Sequence, residues 1–415
     1  MDDHSRHAHE RTVRLYPWYA FLSNTYFWMP VFFLFFLTYL PLEQVLLLEA
    51  IYYAGVVLLE VPSGYFSDRV GRRPTLIIST LSLVAAYALF FTSSSFLPLA
   101  VAQVLLATGL SFNSGTDTSL HYDALAALGR EEEYGPREAM VSKLGFYAGA
   151  LGAVGGGVSA LHGLHMAYLL SLIASAGAFL VVLAMKEPAT LEKKLLPPGG
   201  FFAQTRRVAA RVAHPVVGYV FAFYVLMTIL NHVPYEFYQP YIKRLLISAE
   251  VDSGITPLLT GLHVALAMLI ASWFAGRSIR LRDRIGLWGV FLLAAGLQTL
   301  LIGSMALVTS WIIVALLLSR SIPRALMTAP INATVAPLFD KEQRATYFSL
   351  QSLAGRLAFS ITLVLFSVTT GVIPGDPMKV SLAMGAVIGL IGIIFLGMTR
   401  TRVASLKSNG VNTLP

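Results

Sequence analysis

The sequence predicts an all-α polytopic membrane protein with twelve transmembrane helices in two related six-helix bundles. Three observations carry that reading: composition, a series of long apolar runs, and a charged turn that recurs about two hundred residues later. Of the 415 residues, 56% are hydrophobic and 13% charged, against roughly 25% charged in an average soluble domain. Mean hydropathy is +0.68. A net charge of +8 would suggest nucleic acid in a soluble chain, but here the charges are sorted by position, and a lipid bilayer is the expected partner rather than nucleic acid. The chain has no cysteine, which excludes disulfides and thiolate metal sites. His4, His7 and His9 match no defined metal-site spacing, so no metal or cofactor is expected.

Taken in order, residues 1–15 read as a disordered basic tail. Apolar runs of the ~20 residues that a helix needs to cross hydrocarbon follow at 16–39, 45–66, 74–94, 97–125, 139–161 and 164–185. The first is too long for a signal-peptide core and is read as a retained span. A polar linker at 186–214 carries a basic, amphipathic stretch, Phe201–Ala213, suited to an anionic leaflet. Six more runs follow at 216–242, 255–276, 286–306, 309–336, 345–371 and 378–399. The expected divisions are a tail at 1–15, a bundle at 16–185, the linker, a second bundle at 215–400 and a tail at 401–415.

The positive-inside rule tests this count. With both termini in the cytoplasm, twenty-four basic residues fall inside. Lys243, Arg244 and Lys379 fall outside, and Arg320, Arg324 and Arg356 lie within spans, which accounts for all 30. A missed or invented span would scramble that alternation. Three short matches relate the halves: Asp68-Arg69-Val70-Gly71 with Asp283-Arg284-Ile285-Gly286, Arg137 and Ser142 with Arg344 and Ser349, and Asp123-Ala124 with Asn332-Ala333. All three sit at inner ends of spans, as parallel repeats require.

The turn between spans 2 and 3 reads Gly64-Tyr65-Phe66-Ser67-Asp68-Arg69-Val70-Gly71-Arg72-Arg73-Pro74. Gly64 would let neighbouring helices approach, and Gly71 would permit a tight turn. Asp68 could accept from a helix N-terminus, and Arg72 could pair with Asp123 at the end of span 4. With twelve spans and two halves, this pattern resembles the major facilitator superfamily over the whole chain. Glu60-Val61-Pro62-Ser63 and Tyr122-Asp123-Ala124-Leu125 are similar to a group of bacterial permeases. The resemblance implies a multi-pass protein of the bacterial inner membrane that carries a small-molecule substrate. It also implies that Gly64, Asp68, Arg69, Gly71, Arg72, Arg73 and Asp123 form an inner gate. A monomer is expected.

An ionisable side chain in hydrocarbon costs roughly 2.5–3.5 kcal/mol even on the lenient insertion scale, so it normally faces a cavity or a partner. Asn113, Asp117 and His121 recur every four residues and would share one face of span 4. Asp117, near mid-membrane, is a proton-coupling candidate, its alternative being a structural hydrogen bond. Span 7 offers Asn231, His232, Tyr235, Glu236, Tyr238 and Gln239, with Pro234 and Pro240 expected to disrupt the helix. Glu236 is the second proton candidate. In the resembled fold spans 1, 4, 7 and 10 line the central cavity, which makes Asn24, Asn113, Asn231, His232, Tyr235 and Gln239 substrate candidates. Arg320, Arg324 and Arg356 stay charged; each needs an internal acid or an anionic group on the substrate. His263 reads as a satisfied helix contact.

Two departures from drug antiporters of that superfamily matter. No basic residue stands in span 4, and Gly152-Ala153-Val154-Gly155-Gly156-Gly157 has alanine where they carry proline. The expectation is a proton-coupled secondary transporter of a small organic solute, with efflux slightly favoured, of a drug or of a siderophore- or carboxylate-like compound. An uncoupled facilitator, including one for lipid or for uptake, and a transporter-like sensor remain the alternatives. No phosphate-binding loop with its lysine and no nucleophile–base motif is present, so neither ATP coupling nor an enzyme is expected.

Overall fold

The computed structural model describes residues 3–187, 200–335, 338–339 and 341–408. Residues 188–199 of the linker and 409–415 of the tail lie outside the described residues. The helices are α1 (Asp3–Ser23), α2 (Phe32–Tyr39), α3 (Leu42–Val70), α4 (Arg72–Thr92), α5 (Phe96–Asn113), α6 (Thr116–Ala127), α7 (Tyr134–Ser159) and α8 (His165–Ala184). They continue with α9 (Gly200–Arg211), α10 (Pro215–Ser248), α11 (Thr256–Ala275), α12 (Ser278–Leu307), α13 (Trp311–Leu317), α14 (Ile322–Val335), α15 (Lys341–Val372) and α16 (Pro377–Ser408). Ten segments among the described residues are long and apolar enough to cross a membrane. The other two expected spans correspond to α1 with α2, which is broken, and to the glycine-rich α7.

The chain forms two compact units, residues 1–194 with 252–262 and residues 195–251 with 263–415. In the first, α4 packs on α5 and α8, α3 packs on α5, and α1 lies against α6, α7 and α8. Its aromatic core includes Phe35, Phe36, Phe90 and Tyr168, with ring centroids 4.6 to 5.7 Å apart. In the second, α12 packs on α14 and α16, and α10 packs on α15 and α16. Phe223 and Phe291 stack there at 3.7 Å.

Several sequence expectations need correction. The tail is helical from Asp3 onward and continues into span 1. His9, Thr12, Val13 and Tyr16 are all buried, and their i, i+3, i+4, i+7 spacing gives the helix one packed face. Thr12 fixes that face: its hydroxyl donates to the Lys186 carbonyl at 3.2 Å and accepts the Lys186 N–H at 2.9 Å. Spans 1, 4 and 10 are not continuous. Span 1 breaks between Ser23 and Phe32, span 4 at Ser114–Gly115, and span 10 between Leu317 and Ile322. Gly115 takes φ +73°, a left-handed conformation that glycine adopts without steric cost. Span 7, expected to be disrupted, is instead the 34-residue α10 running through Pro234 and Pro240.

The α7 glycines explain how the break in span 1 is accommodated. A Cβ on Gly152 would lie 2.8 Å from the Tyr26 backbone nitrogen, and one on Gly155 would lie 2.9 Å from the Phe27 ring. Backbone therefore meets backbone at this contact, as small residues allow between membrane helices.

Candidate functional site

The charged turn is built around Gly71. Its φ of +129° ends α3 at Val70 and lets α4 begin at Arg72. A helix start leaves its first N–H groups without intrahelical acceptors. Glu187, just beyond α8, supplies acceptors: Oε1 takes the Arg72 N–H at 2.7 Å and Oε2 the Arg73 N–H at 2.6 Å. A Cβ on residue 71 would stand 2.9 Å from that carboxylate. Glycine is thus required twice at this position, by conformation and by space.

The Arg72 side chain bridges three groups. Its Nη1 reaches Asp68 at 2.6 Å and Ser67 Oγ at 2.9 Å, and its Nε reaches Asp123 at 3.3 Å. Arg73 donates to the carbonyls of Val182 and Leu183, at 3.3 and 2.9 Å, near the end of α8. Arg69 lies over the Tyr65 ring at 5.2 Å. Burial pushes the Glu187 carboxyl above the usual carboxylate range. The N–H groups of Arg73 and Arg72 and the Arg72 charge oppose that rise, while Asp123 adds to it. The close approach expected at Gly64 is absent, since a Cβ there would meet nothing within 4 Å. Sequence reasoning missed Glu187, an acid 115 positions from its partner.

The twin turn in the second unit is simpler. Gly286, at φ +74° and ψ +166°, kinks α12. Asp283 pairs with its neighbour Arg282 at 2.8 Å. Leu287 and Trp288 stand where the first turn has Arg72 and Arg73.

Within the first unit, the break in span 4 separates residues expected to share one face. Asn113 ends α5 and its Oδ1 accepts from the Tyr19 hydroxyl at 2.5 Å. Asp117 lies in the first turn of α6, where the helix dipole favours a negative group. Its Oδ1 accepts the Thr118 N–H at 2.8 Å. Tyr19 and Tyr26 lie within electrostatic reach of it. His121, buried, stacks on Tyr16 at 4.2 Å. Asn24 follows α1 and donates to the Ala20 carbonyl at 2.7 Å. A further acid, Glu49, was passed over in the sequence, although it interrupts the apolar run of span 2. It is 4% exposed and accepts from the Gln103 amide at 3.2 Å.

The second unit gathers the arginines around α10. Arg320, 6% exposed, lies in the break of span 10. Its Nη1 donates to His263 Nδ1 at 2.5 Å, and its guanidinium sits 4.3 Å over the Tyr238 ring. His263 Nε2 is 3.1 Å from the Val314 carbonyl, so the ring is the neutral Nε2–H tautomer. Gln239 donates to the Tyr238 hydroxyl at 3.1 Å. His232 bonds the Thr228 carbonyl at 2.6 Å and packs on Phe359 at 4.9 Å. Arg324 and Arg356, from α14 and α15, both act electrostatically on His232. Tyr235 lies 6.5 Å from His232. The Asn231 Oδ1 is buried with no hydrogen-bond partner among the described residues. Glu236, on the same helix, is fully buried.

The profile of the Major Facilitator Superfamily matches residues 19–363. No curated protein sequence matches this one. Among solved structures, a mutant form of the nucleoside transporter NupG is similar with a TM-score of 0.78 at 11% identity, covering 94% of this chain and 99% of that one. A D-xylose-proton symporter gives 0.64 at 16% identity, covering 94% and 96%. A bacterial homologue of the human lysosomal transporter Spinster gives 0.66 at 15% identity, covering 97% and 98%. At these identities the likeness establishes the fold: twelve membrane helices in two pseudo-symmetric bundles.

Proposed function

The chain belongs to the major facilitator superfamily, and on that premise we propose that this secondary transporter couples protons to the movement of a small anionic organic solute. The bundles are 16–185 and 215–400, transport is by alternating access, and the chain works as a monomer. Both termini lie in the cytoplasm of a bacterial inner membrane, because that placement puts twenty-four of the 30 basic residues on the inner side. The turn with Gly64, Asp68, Arg69, Gly71, Arg72 and Arg73, together with Asp123, is the inner gate, and Glu187 holds it in shape. Outward transport is slightly favoured by the surviving glycines of α7.

One observation supports the substrate class: Arg324 and Arg356 both lie within electrostatic reach of His232, whose sequence neighbour Asn231 has a buried Oδ1 with no hydrogen-bond partner among the described residues. Guanidinium groups remain charged in an apolar setting, and their planar forks match carboxylate and phosphate geometry. The Arg320 guanidinium is engaged by His263 and Tyr238, and its role is to brace spans 7, 8 and 10 within the second unit. Asn231, Tyr235 and Gln239 bind the rest of the solute. Asp117 and Glu236 carry the proton.

The substrate class is tested with proteoliposomes offered a panel of carboxylates, phosphate esters, sugars and nucleosides, read by mass spectrometry. An anionic member is expected to be carried, and Arg324→Ala or Arg356→Ala is expected to reduce its flux about ten-fold or more, as loss of a charge-assisted pair implies. Transport of neutral members only, or unchanged flux in both variants, would overturn the anion assignment.

A further inference from the structure

A second group of cations lies away from the membrane interior. His7, Arg11, Arg73 and Lys186, with Ala8, Leu183, Ala184 and Met185, line a cavity of about 460 Å³. His7 and Arg11 are one helical turn apart on α1, so they present to the same side. Lys186 is fixed by the two hydrogen bonds between its backbone and Thr12. Arg73 is held by the Val182 and Leu183 carbonyls. The floor is firm as well: Met185 belongs to the packed cluster with Tyr16, Tyr19, Leu76 and Val182. Three elements therefore hold three permanent cations and an imidazole around one space.

Clustered like charges repel unless something neutralises them. No carboxylate lines this cavity among the described residues. Glu187, adjacent in sequence, is turned to the N–H groups of Arg72 and Arg73, and Glu10 pairs with Arg6 at 3.7 Å on the exposed side of α1. We propose that the cavity binds a phosphate-bearing anion, either a free phosphate compound or the headgroup of an anionic phospholipid. Arginine and lysine from α1, α4 and the segment after α8 border one space, the arrangement that suits phosphate. On the topology proposed above, the site faces the cytoplasm at headgroup level. Because Arg73 belongs both to the cavity and to the gate turn, an occupied site ties the N-terminal helix to that turn.

The test measures binding, not transport, so it can fail without touching the transport assignment. Purified full-length protein in detergent is titrated with inorganic pyrophosphate, following its thermal shift. In parallel, nanodiscs of phosphatidylglycerol and of phosphatidylcholine are compared by lipid retention in native mass spectrometry. Wild type is expected to bind pyrophosphate, to retain phosphatidylglycerol, or both, and whichever probe binds identifies the source. Arg11→Gln with Lys186→Gln should weaken that binding ten-fold or more, while Arg11→Lys with Lys186→Arg should preserve it. If the double variant is not monodisperse, Arg11→Gln alone, at an exposed position, should weaken binding at least three-fold. Equal binding by wild type and the glutamine variants, or no binding of either probe, overturns the proposal.

Discussion

The turns after spans 2 and 8 share Asp-Arg-x-Gly and a glycine at positive φ, +129° at Gly71 and +74° at Gly286. They differ in what surrounds that glycine. At Gly71 a Cβ would strike the Glu187 carboxylate, whereas at Gly286 it would meet nothing within 4 Å. The first turn continues into Arg72 and Arg73, which recruit Asp68, Asp123 and the end of α8. The second continues into Leu287 and Trp288, and its acid is left with the adjacent Arg282. The backbone requirement was kept in both halves, while among the described residues the ion network is present in one. The comparison separates a glycine that only makes a turn from one that also makes room for a carboxylate.

The largest expected effect follows directly. Gly71→Ala suffers backbone strain of about 1–3 kcal/mol and also displaces Glu187, whereas Gly286→Ala suffers strain alone. The apparent melting temperature in detergent should fall distinctly further for Gly71→Ala. Equal falls would break the distinction.

Glu187→Gln keeps the shape but turns an amide N–H toward one of the two backbone donors in place of an acceptor, a loss of about 1–2 kcal/mol. Its pH behaviour is more telling. The folded carboxyl titrates above its unfolded value, chiefly because it is buried. Its contribution is therefore complete below the unfolded value of about 4.3 and is lost as pH rises through the folded one. Melting curves from pH 4 to 7 should slope downward more for wild type than for Glu187→Gln. An identical slope would remove Glu187 from the account. The smallest effect is the reverse experiment. Leu287→Arg restores an arginine beside Asp283 and, on this exposed turn, should stabilise by no more than about 0.5 kcal/mol. A larger, salt-sensitive gain would mean that the second turn can build the full network.

Much of the fold was legible because hydrocarbon thickness imposes run length, and because charge sorting fixes the order of loops. The breaks were not legible. Local signals were present, Asn113-Ser114-Gly115-Thr116 in span 4, Pro30 in span 1 and Ser321 with Pro323 in span 10, but Pro234 and Pro240 carry the same signal inside an unbroken α10, so such residues alone do not decide where a span breaks. The helical N-terminus was readable from the buried stripe His9, Thr12, Val13 and Tyr16, which polar neighbours masked. The Arg72–Asp123 contact, 3.3 Å, could be anticipated because both residues belong to recognisable motifs. Glu187 could not, since capping α4 depends on where the end of α8 lies in space. Arg320 needed a partner by physical argument, but that the partner would be a histidine and a tyrosine ring rather than an acid required coordinates.

The central claim is proton coupling through Asp117, the acid at the break in span 4. The most direct test is accumulation of the carried anion in proteoliposomes under an imposed pH gradient, comparing wild type with Asp117→Asn. Gradient-dependent accumulation by wild type, lost in Asp117→Asn and lost again when the gradient is collapsed, is the predicted result. Accumulation that survives the substitution, or flux indifferent to the gradient, would contradict it.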